Sequence, residues 1–162
     1  MKILITGATS ALAHKLKRLS DRGETFIYAD QIDLPEFMKK ENQFVRIAAG
    51  DSPAFAHELL RLSLDLQIDY IYPLRRSEVA ALAESRQLFE EYSIKVVVPG
   101  KKDIPGFLAP PRPNEKLFIK YDGEYLLEPE FGEKAADPTI QTGVFGIFDN
   151  AGVLEYRLFT AD

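Results

Sequence analysis

The chain has 162 residues, of which 46% are hydrophobic and 28% charged, and its formal net charge at pH 7 is −5. These values are ordinary for globular proteins, so they exclude wholesale disorder and leave room for one domain with a small appendage. The acidic balance argues against nucleic acid and against a membrane surface as partners. Because cysteine is absent, disulfides and thiolate chemistry are excluded, and we expect a cytoplasmic protein.

The first hundred residues alternate apolar strand patterns with helical patterns. Strands are predicted at KILIT, TFIYAD, QFVRIA, IDYIYP and IKVVVP. Between them we predict a helix from Ala11 to Arg22, one turn at Leu34–Met38, a helix that begins at Asp51-Ser52-Pro53, and a helix from Glu78 to about Tyr92 capped by Ser77. Five strands alternating with helices predict an α/β domain over residues 1–98, with a Rossmann-like, doubly wound parallel sheet.

The pattern changes after this domain. Residues 99–113 hold five of the chain's ten prolines, a composition that favours an extended connector without regular structure. Beyond it, EKLFIKY and EYLLEP flank Asp122-Gly123, and TIQTGVFGIF and VLEYRLF flank a turn at residues 149–152. Residues 114–162 are therefore predicted to form an antiparallel β-hairpin appendage of about four strands. Since four strands bury little core alone, we expect them to pack on the α/β body or on another subunit.

The candidate binding residues follow three strands of the predicted sheet. In a doubly wound sheet, ligands bind outside the carboxyl ends of the strands, where the strand order reverses. The segments selected by this rule contain Gly7, Thr9 and Ser10 after the first strand, Asp30 at the end of the second, and Arg75, Arg76, Ser77 and Glu78 after the fourth. We expect a small anionic metabolite or a nucleotide to bind there, and we predict no catalytic residue and no metal site.

The segment TGATSALA after the first strand is a degenerate dinucleotide fingerprint. Gly7 supplies the tight turn, but Ser10 stands where a second glycine would let the backbone approach a pyrophosphate, and Ala13 replaces the third. Asp30 is well placed for a ribose hydroxyl. The alternative is a turn glycine followed by hydroxyls, on Thr9 and Ser10, that cap the helix. The sequence requires no cofactor, and NAD(P) and ATP both stay open.

Arg75 and Arg76 precede the fourth helical pattern. Two guanidinium groups beside a helix N-terminus could clamp a phosphate or a carboxylate. The alternative is that the two adjacent side chains point apart and that one of them pairs with Glu78.

MKILITGA, YAD and LDLQIDYIYPLRRSEVAALA together resemble the N-terminal, pre-ATP-grasp domain of ATP-grasp ligases over about the first hundred residues. The resemblance implies a Rossmann-like domain that helps to form the substrate cleft, while a later grasp domain holds ATP and magnesium. It also implies that Gly7, Thr9, Asp30 and residues 75–78 face the acceptor substrate. The sixty or so residues after Gly100 are too few for a grasp domain, so we expect no ATP-dependent ligation by this chain alone.

Three functions follow as hypotheses. The first is a non-catalytic small-molecule-binding or accessory protein, which acts with a ligase partner chain. The second is an NAD(P)-binding Rossmann protein or reductase, because the TGA opening also resembles short-chain dehydrogenases. Their catalytic Tyr-x-x-x-Lys is absent here, since Tyr72 has Arg76 at that spacing and no other tyrosine has lysine. The third is a homo-oligomeric interaction protein that uses the C-terminal β segment.

Overall fold

The computed structural model of the protein describes residues 1–39, 43–129 and 137–162. A five-stranded parallel sheet and a four-stranded antiparallel sheet confirm the predicted fold class. The parallel sheet contains β1 (Lys2–Ile5), β2 (Thr25–Asp30), β3 (Phe44–Arg46), β4 (Tyr70–Tyr72) and β5 (Lys95–Val96). Its helices are α1 (Ala11–Ser20), α2 (Glu36–Lys39), α3 (Phe55–Leu66) and α4 (Arg76–Glu91).

The strand order of the parallel sheet is β3-β2-β1-β4-β5, so the order reverses between β1 and β4. Ile5 lies opposite Tyr28 of β2 and Tyr72 of β4, which places the ends of these three strands side by side. The loops after β1 and β4 therefore meet at the carboxyl edge, where doubly wound folds bind ligands. We call residues 6–10, Asp30 and residues 73–78 the switch-point edge.

The two faces of the parallel sheet are buried under different helices. Successive strand residues point to opposite faces, so Leu4 packs with the apolar residues of α3 and α4, whereas Ile3 and Ile5 pack with Ala13 and Leu16 of α1. This layering fixes the start of α1 and the start of α4 on opposite sides of the switch-point edge.

The antiparallel sheet contains β6 (Lys116–Tyr121), β7 (Glu124–Leu127), β8 (Gly143–Asn150) and β9 (Val153–Leu158), in the order β7-β6-β8-β9. Both predicted hairpin turns are present. Asp122 and Gly123 have φ of 49° and 84°, and Ala151 and Gly152 have φ of 52° and 87°. Tight hairpin turns require these left-handed conformations, which explains the glycines.

The antiparallel sheet shares its core with the parallel sheet. On one face, Leu117, Ile119 and Val144 belong to the apolar cluster that contains Ile3 and Leu16. On the other face, the rings of Phe118 and Phe145 stack at 5.4 Å between centroids, and Ile104 and Phe107 pack against this second cluster. The antiparallel sheet thus packs on the α/β body, while the boundaries at residues 98 and 113 stay predictions.

Several element bounds differ from the predicted ones. Helix α1 ends at Ser20 rather than Arg22, because the backbone of Asp21 is already extended. Helix α3 begins at Phe55, after turns over residues 51–54, and α4 begins at Arg76 with Arg75 as its N-cap instead of Ser77.

The expectation that the proline-rich connector lacks regular structure is wrong in one place. One 3₁₀ turn spans Ile104–Phe107. Pro105 suits the start of this turn because its φ is fixed, and the turn lets the side chain of Ile104 be buried in the core. In the part of the chain that the structure describes, no helix combines the length and the apolar character needed to cross a membrane.

Candidate functional site

The loop after β1 turns sharply at Gly7, which has a φ of 63°. A side chain there would be strained by this conformation, and its Cβ would lie 3.3 Å from the Cβ of Leu74. Backbone hydrogen bonds hold the loop on both sides, from Thr6 to Tyr72 at 3.1 Å and from Ala8 to Ala29 at 3.2 Å. Gly7 therefore sets the close approach of the loops after β1 and β4.

Asp30 is completely buried at the end of β2, and its carboxylate joins the three loops of the switch-point edge. Oδ2 accepts hydrogen bonds from the backbone N–H of Thr9 at 2.9 Å and from its hydroxyl at 2.8 Å, and Oδ1 accepts one from the N–H of Gln31 at 2.8 Å. Nη2 of Arg75 donates to both oxygens, at 3.0 and 3.2 Å. Asp30 would have to exchange some of these bonds to reach a ribose.

The surroundings of Asp30 also fix its charge. Burial alone would raise the pKa of Asp30, but the hydrogen bonds from Thr9 and the charge of Arg75 outweigh burial and hold the pKa below its ordinary value. Asp30 and Arg75 therefore form an ion pair, of which the aspartate side chain is 0% and the arginine side chain 17% exposed.

Glu78 lies in the first turn of α4 and is completely buried. Its Oε2 accepts a hydrogen bond from the hydroxyl of Thr6, and that hydroxyl in turn accepts one from the N–H of Leu74 at 2.8 Å. The other oxygen, Oε1, is buried and has no hydrogen-bond partner among the described residues. Burial raises the pKa of Glu78 to about 7, although Thr6 and Arg75 favour the charged form.

Arg75 and Arg76 point to different partners. Besides Asp30, Nη2 of Arg75 reaches the hydroxyl of Thr9 at 3.4 Å, so this guanidinium lies beside the start of α1. The guanidinium of Arg76 donates instead to the carbonyl of Ala109 in the connector at 3.0 Å. Both Nε atoms are buried without a partner in the described part of the chain. The arginine that pairs with a carboxylate here is Arg75, and its partner is Asp30 rather than Glu78.

The N-terminus of α4 is covered by other parts of the chain. The backbone N–H of Arg76 donates to the side-chain Oδ1 of Asp162 at 2.9 Å. From another side, a Cβ on Gly50 would lie 2.5 Å from the backbone nitrogen of Glu78, so the loop after β3 touches the first turn of α4. Ser77 contributes to the same contact, since its Oγ would lie 2.7 Å from that Cβ.

The N-terminus of α1 differs, because no side chain of the described residues caps it. Ser10 is its N-cap residue, but the Ser10 hydroxyl donates to the carbonyl of Gly7 at 2.6 Å and makes no capping bond to the helix. The hydroxyl of Thr9 is bonded to Asp30. The alternative interpretation, in which these two hydroxyls cap α1, is therefore wrong. Among the described residues, no side chain caps the first turn of α1.

Sequence reasoning did not identify Gly50 and Asp162 as neighbours of the site. Both reach the first turn of α4 from loops that are distant along the chain. A glycine before Asp51 is an ordinary turn signal, and an aspartate after the last strand carries no motif, so neither position had a local signal. The described residues contain no group of three or more His, Asp or Glu side chains that could hold a metal ion.

No protein-family model matches the chain, and no curated protein matches it. Among solved structures, the chain is similar to glycinamide-RNase-transformylase T from Mycobacterium tuberculosis, with 18% sequence identity and a TM-score of 0.46. The alignment covers 96% of this chain and 56% of the other. The chain therefore spans little more than half the length of that protein.

Proposed function

We propose that this protein is a small-molecule-binding accessory protein, and that a small anionic metabolite binds at the switch-point edge, at the N-terminus of α1. The observation that carries the proposal is the uncapped start of α1 beside the guanidinium of Arg75. The proposed role is binding, and no catalytic step is assigned to these residues.

The backbone of α1 supplies the attraction for an anion. The first N–H groups of a helix have no partner inside the helix, and the helix dipole adds a partial positive charge at this end. A side-chain oxygen at the N-cap normally satisfies one of these groups, but the Ser10 hydroxyl is turned back to Gly7. A carboxylate or phosphate oxygen of a ligand would take the place of the missing cap.

Arg75 prevents Asp30 from repelling such an anion. Asp30 accepts a hydrogen bond from Thr9, directly before α1, and without a counter-charge it would oppose a second anion. Nη2 of Arg75 contacts both oxygens of Asp30 and leaves the guanidinium partly exposed toward the same loop. The proposal therefore assigns Arg75 two roles, neutralising Asp30 and facing the ligand.

The contrast with α4 supports the choice of α1. Helix α4 already receives a carboxylate at its N-terminus, from Asp162, and Gly50 packs closely against it. Arg76, Ser77 and Glu78 thus belong to a helix start that the chain itself occupies. Gly7, Thr9 and Ser10 border one that no described side chain caps.

A thermal-shift screen with inorganic phosphate, ATP, NAD, NADP, amino acids and phosphorylated metabolites tests this proposal. A ligand at a hundred times its dissociation constant stabilises by about 2.7 kcal/mol, which raises the unfolding midpoint by roughly 5–10 °C for a chain of this size. We expect a shift with a phosphorylated or carboxylated metabolite.

The variant Ser10→Asp tests the position of the ligand. An aspartate at the N-cap supplies its own carboxylate to α1, so it stabilises the helix and abolishes the ligand shift. Gln87→Glu adds the same charge on the exposed side of α4 and should keep the shift. An unchanged shift in Ser10→Asp would contradict the proposal, and no shift with any compound would also count against it.

Three further results would favour the other hypotheses. A shift with NAD or NADP alone that Asp30→Ala abolishes would replace this proposal by dinucleotide binding. A dimeric mass in solution that is lost on disrupting the edge of β7 or β9 would support the homo-oligomer. Co-purification with a separate ATP-grasp chain would supply the ligase partner that the sequence resemblance implies.

A further inference from the structure

A separate concave site lies between α1 and the beginning of β6, away from the switch-point edge. Its volume is about 260 Å³, near the lower end of the range for small-molecule pockets. Among the described residues, helix α1 contributes Lys15, Arg18 and Leu19 to the lining, and residues 114–117 contribute the rest. A pocket of this size fits a phosphate or diphosphate group with a short attachment rather than a whole dinucleotide.

The lining of this pocket is strongly basic in a chain whose net charge is −5. Lys15 and Arg18 supply two cations. The acidic residue among its described lining residues, Glu115, is buried and accepts hydrogen bonds from Arg157 on both carboxylate oxygens, from Nε at 2.6 Å and from Nη2. The charge of Glu115 is therefore neutralised inside the antiparallel sheet and does not offset the charges of Lys15 and Arg18.

Lys15 is already ordered in this pocket. Its Nζ donates to the backbone carbonyl of Glu115 at 3.1 Å, and it lies 5.9 Å from the centre of the Phe159 ring. One hydrogen bond leaves an ammonium group two further donors, and a side chain that is already held loses less entropy when it binds a ligand. Arg18 adds a planar guanidinium whose donors match two phosphate oxygens.

We propose that this pocket binds a small phosphorylated molecule, with the phosphate between Lys15 and Arg18. The side-chain amide of Asn114 is a further donor within its lining. This site is distinct from the proposed anion site at Ser10, because its described lining residues come from the second half of α1 and from residues 114–117.

Isothermal titration of the full chain with inorganic pyrophosphate tests this proposal. We expect saturable binding that weakens about tenfold or more in Arg18→Gln, since each charged hydrogen-bonding group contributes strongly to phosphate binding. Lys15→Gln should act in the same direction. The matched control is Lys17→Gln, which removes the same charge from the same helix, where Lys17 faces the ring of Phe26 at 5.9 Å rather than the pocket. The control should keep its affinity within about twofold.

Three outcomes would overturn the proposal. One is the absence of saturable pyrophosphate binding, and another is an equal loss in Lys17→Gln, which would indicate diffuse attraction by a basic helix. The third is binding that Ser10→Asp abolishes while Arg18→Gln keeps it, because pyrophosphate would then be bound at the switch-point edge. Arg18 is exposed, so Arg18→Gln should remain folded, and circular dichroism of each variant checks this.

Discussion

Two buried ion pairs with the same chemistry lie in different surroundings in this molecule. In the antiparallel sheet, Arg157 is 0% exposed and its partner Glu115 is 3% exposed. Two nitrogens of Arg157 bind Glu115, and Nη1 donates to the carbonyl of Leu158 at 2.7 Å. Gly146 makes room for the pair, because a Cβ there would collide with a carboxylate oxygen of Glu115.

The pair at the switch-point edge is more open. Arg75 is 17% exposed, its Nε has no partner among the described residues, and Oε1 of the neighbouring Glu78 also lacks one. The pair of Arg157 and Glu115 is buried and makes its hydrogen bonds inside the sheet, so it stabilises the fold and offers no donor to a ligand. A partly exposed pair with unpartnered atoms beside it can still accept a ligand, so the surroundings of a buried ion pair indicate whether it marks a site.

The strongest test of the comparison is Arg157→Ala. This change leaves the carboxylate of Glu115 buried without its counter-charge, so we expect the free energy of unfolding to fall by about 3–5 kcal/mol. Urea unfolding followed by circular dichroism measures the loss. The double variant Glu115→Gln with Arg157→Met removes both charges and should lose less. A loss below about 1 kcal/mol in Arg157→Ala would mean that this pair does not hold the sheet.

Arg75→Ala should cost less than Arg157→Ala, about 1–3 kcal/mol. Asp30 keeps three hydrogen bonds in this variant, two from Thr9 and one from Gln31, and the vacated space opens to water. The same urea experiment compares the two variants directly. If Arg75→Ala loses as much stability as Arg157→Ala, the two pairs play the same structural role and the distinction between them fails.

The sequence predicted the parallel domain better than its site. Alternating strand and helix patterns predict the fold class, and Asp122-Gly123 predicts a hairpin turn. Both features could be predicted because their signals lie within a few neighbouring residues. The same rules placed Gly7, Asp30 and Arg75 at one edge, where the structure brings them together.

The partners of these residues could not be predicted in the same way. Asp162 lies 86 residues from Arg76 along the chain, and the pairing of Arg157 with Glu115 spans 42 residues. Such contacts depend on how the antiparallel sheet packs on the body, and hydrophobic periodicity does not specify that packing. The sequence likewise does not show which partner each of the two adjacent arginines has. In the structure, Arg75 contacts Asp30 and Arg76 contacts the connector.

The pH dependence of stability distinguishes the two carboxylates of the switch-point edge. Glu78 has a folded-state pKa of about 7, above its ordinary value, so between these values the folded protein holds a proton that the unfolded chain has released. Stability should therefore fall as pH rises toward 7, by at most about 1.4 kcal/mol per pH unit. Asp30 has the opposite sign, because its pKa is lowered, and its contribution is lost only under acidic conditions below the ordinary aspartate range.

Glu78→Gln isolates this effect. The amide oxygen can still accept the hydrogen bond from Thr6, but the amide does not titrate. The urea midpoint of the variant should therefore change less with pH between about pH 5 and pH 7. Unfolding curves of both proteins across this range supply the measurement. An identical pH profile for the variant would show that Glu78 is not the titrating group.

The smallest predicted effect compares the two helix starts. Asp162→Asn keeps an oxygen that can accept from the N–H of Arg76 but removes the negative charge, so α4 should lose about 0.3–1 kcal/mol of stabilisation at low salt. Ser10→Asp adds a charge at the uncapped α1 and should gain a similar amount. Both stability differences should be smaller in 1 M salt, because screening weakens the attraction between a partly exposed carboxylate and a helix end. If Asp162→Asn leaves the free energy of unfolding unchanged at low salt, the charge of Asp162 does not stabilise the N-terminus of α4. The two helix N-termini would then not differ in the way that favours α1 as the ligand site.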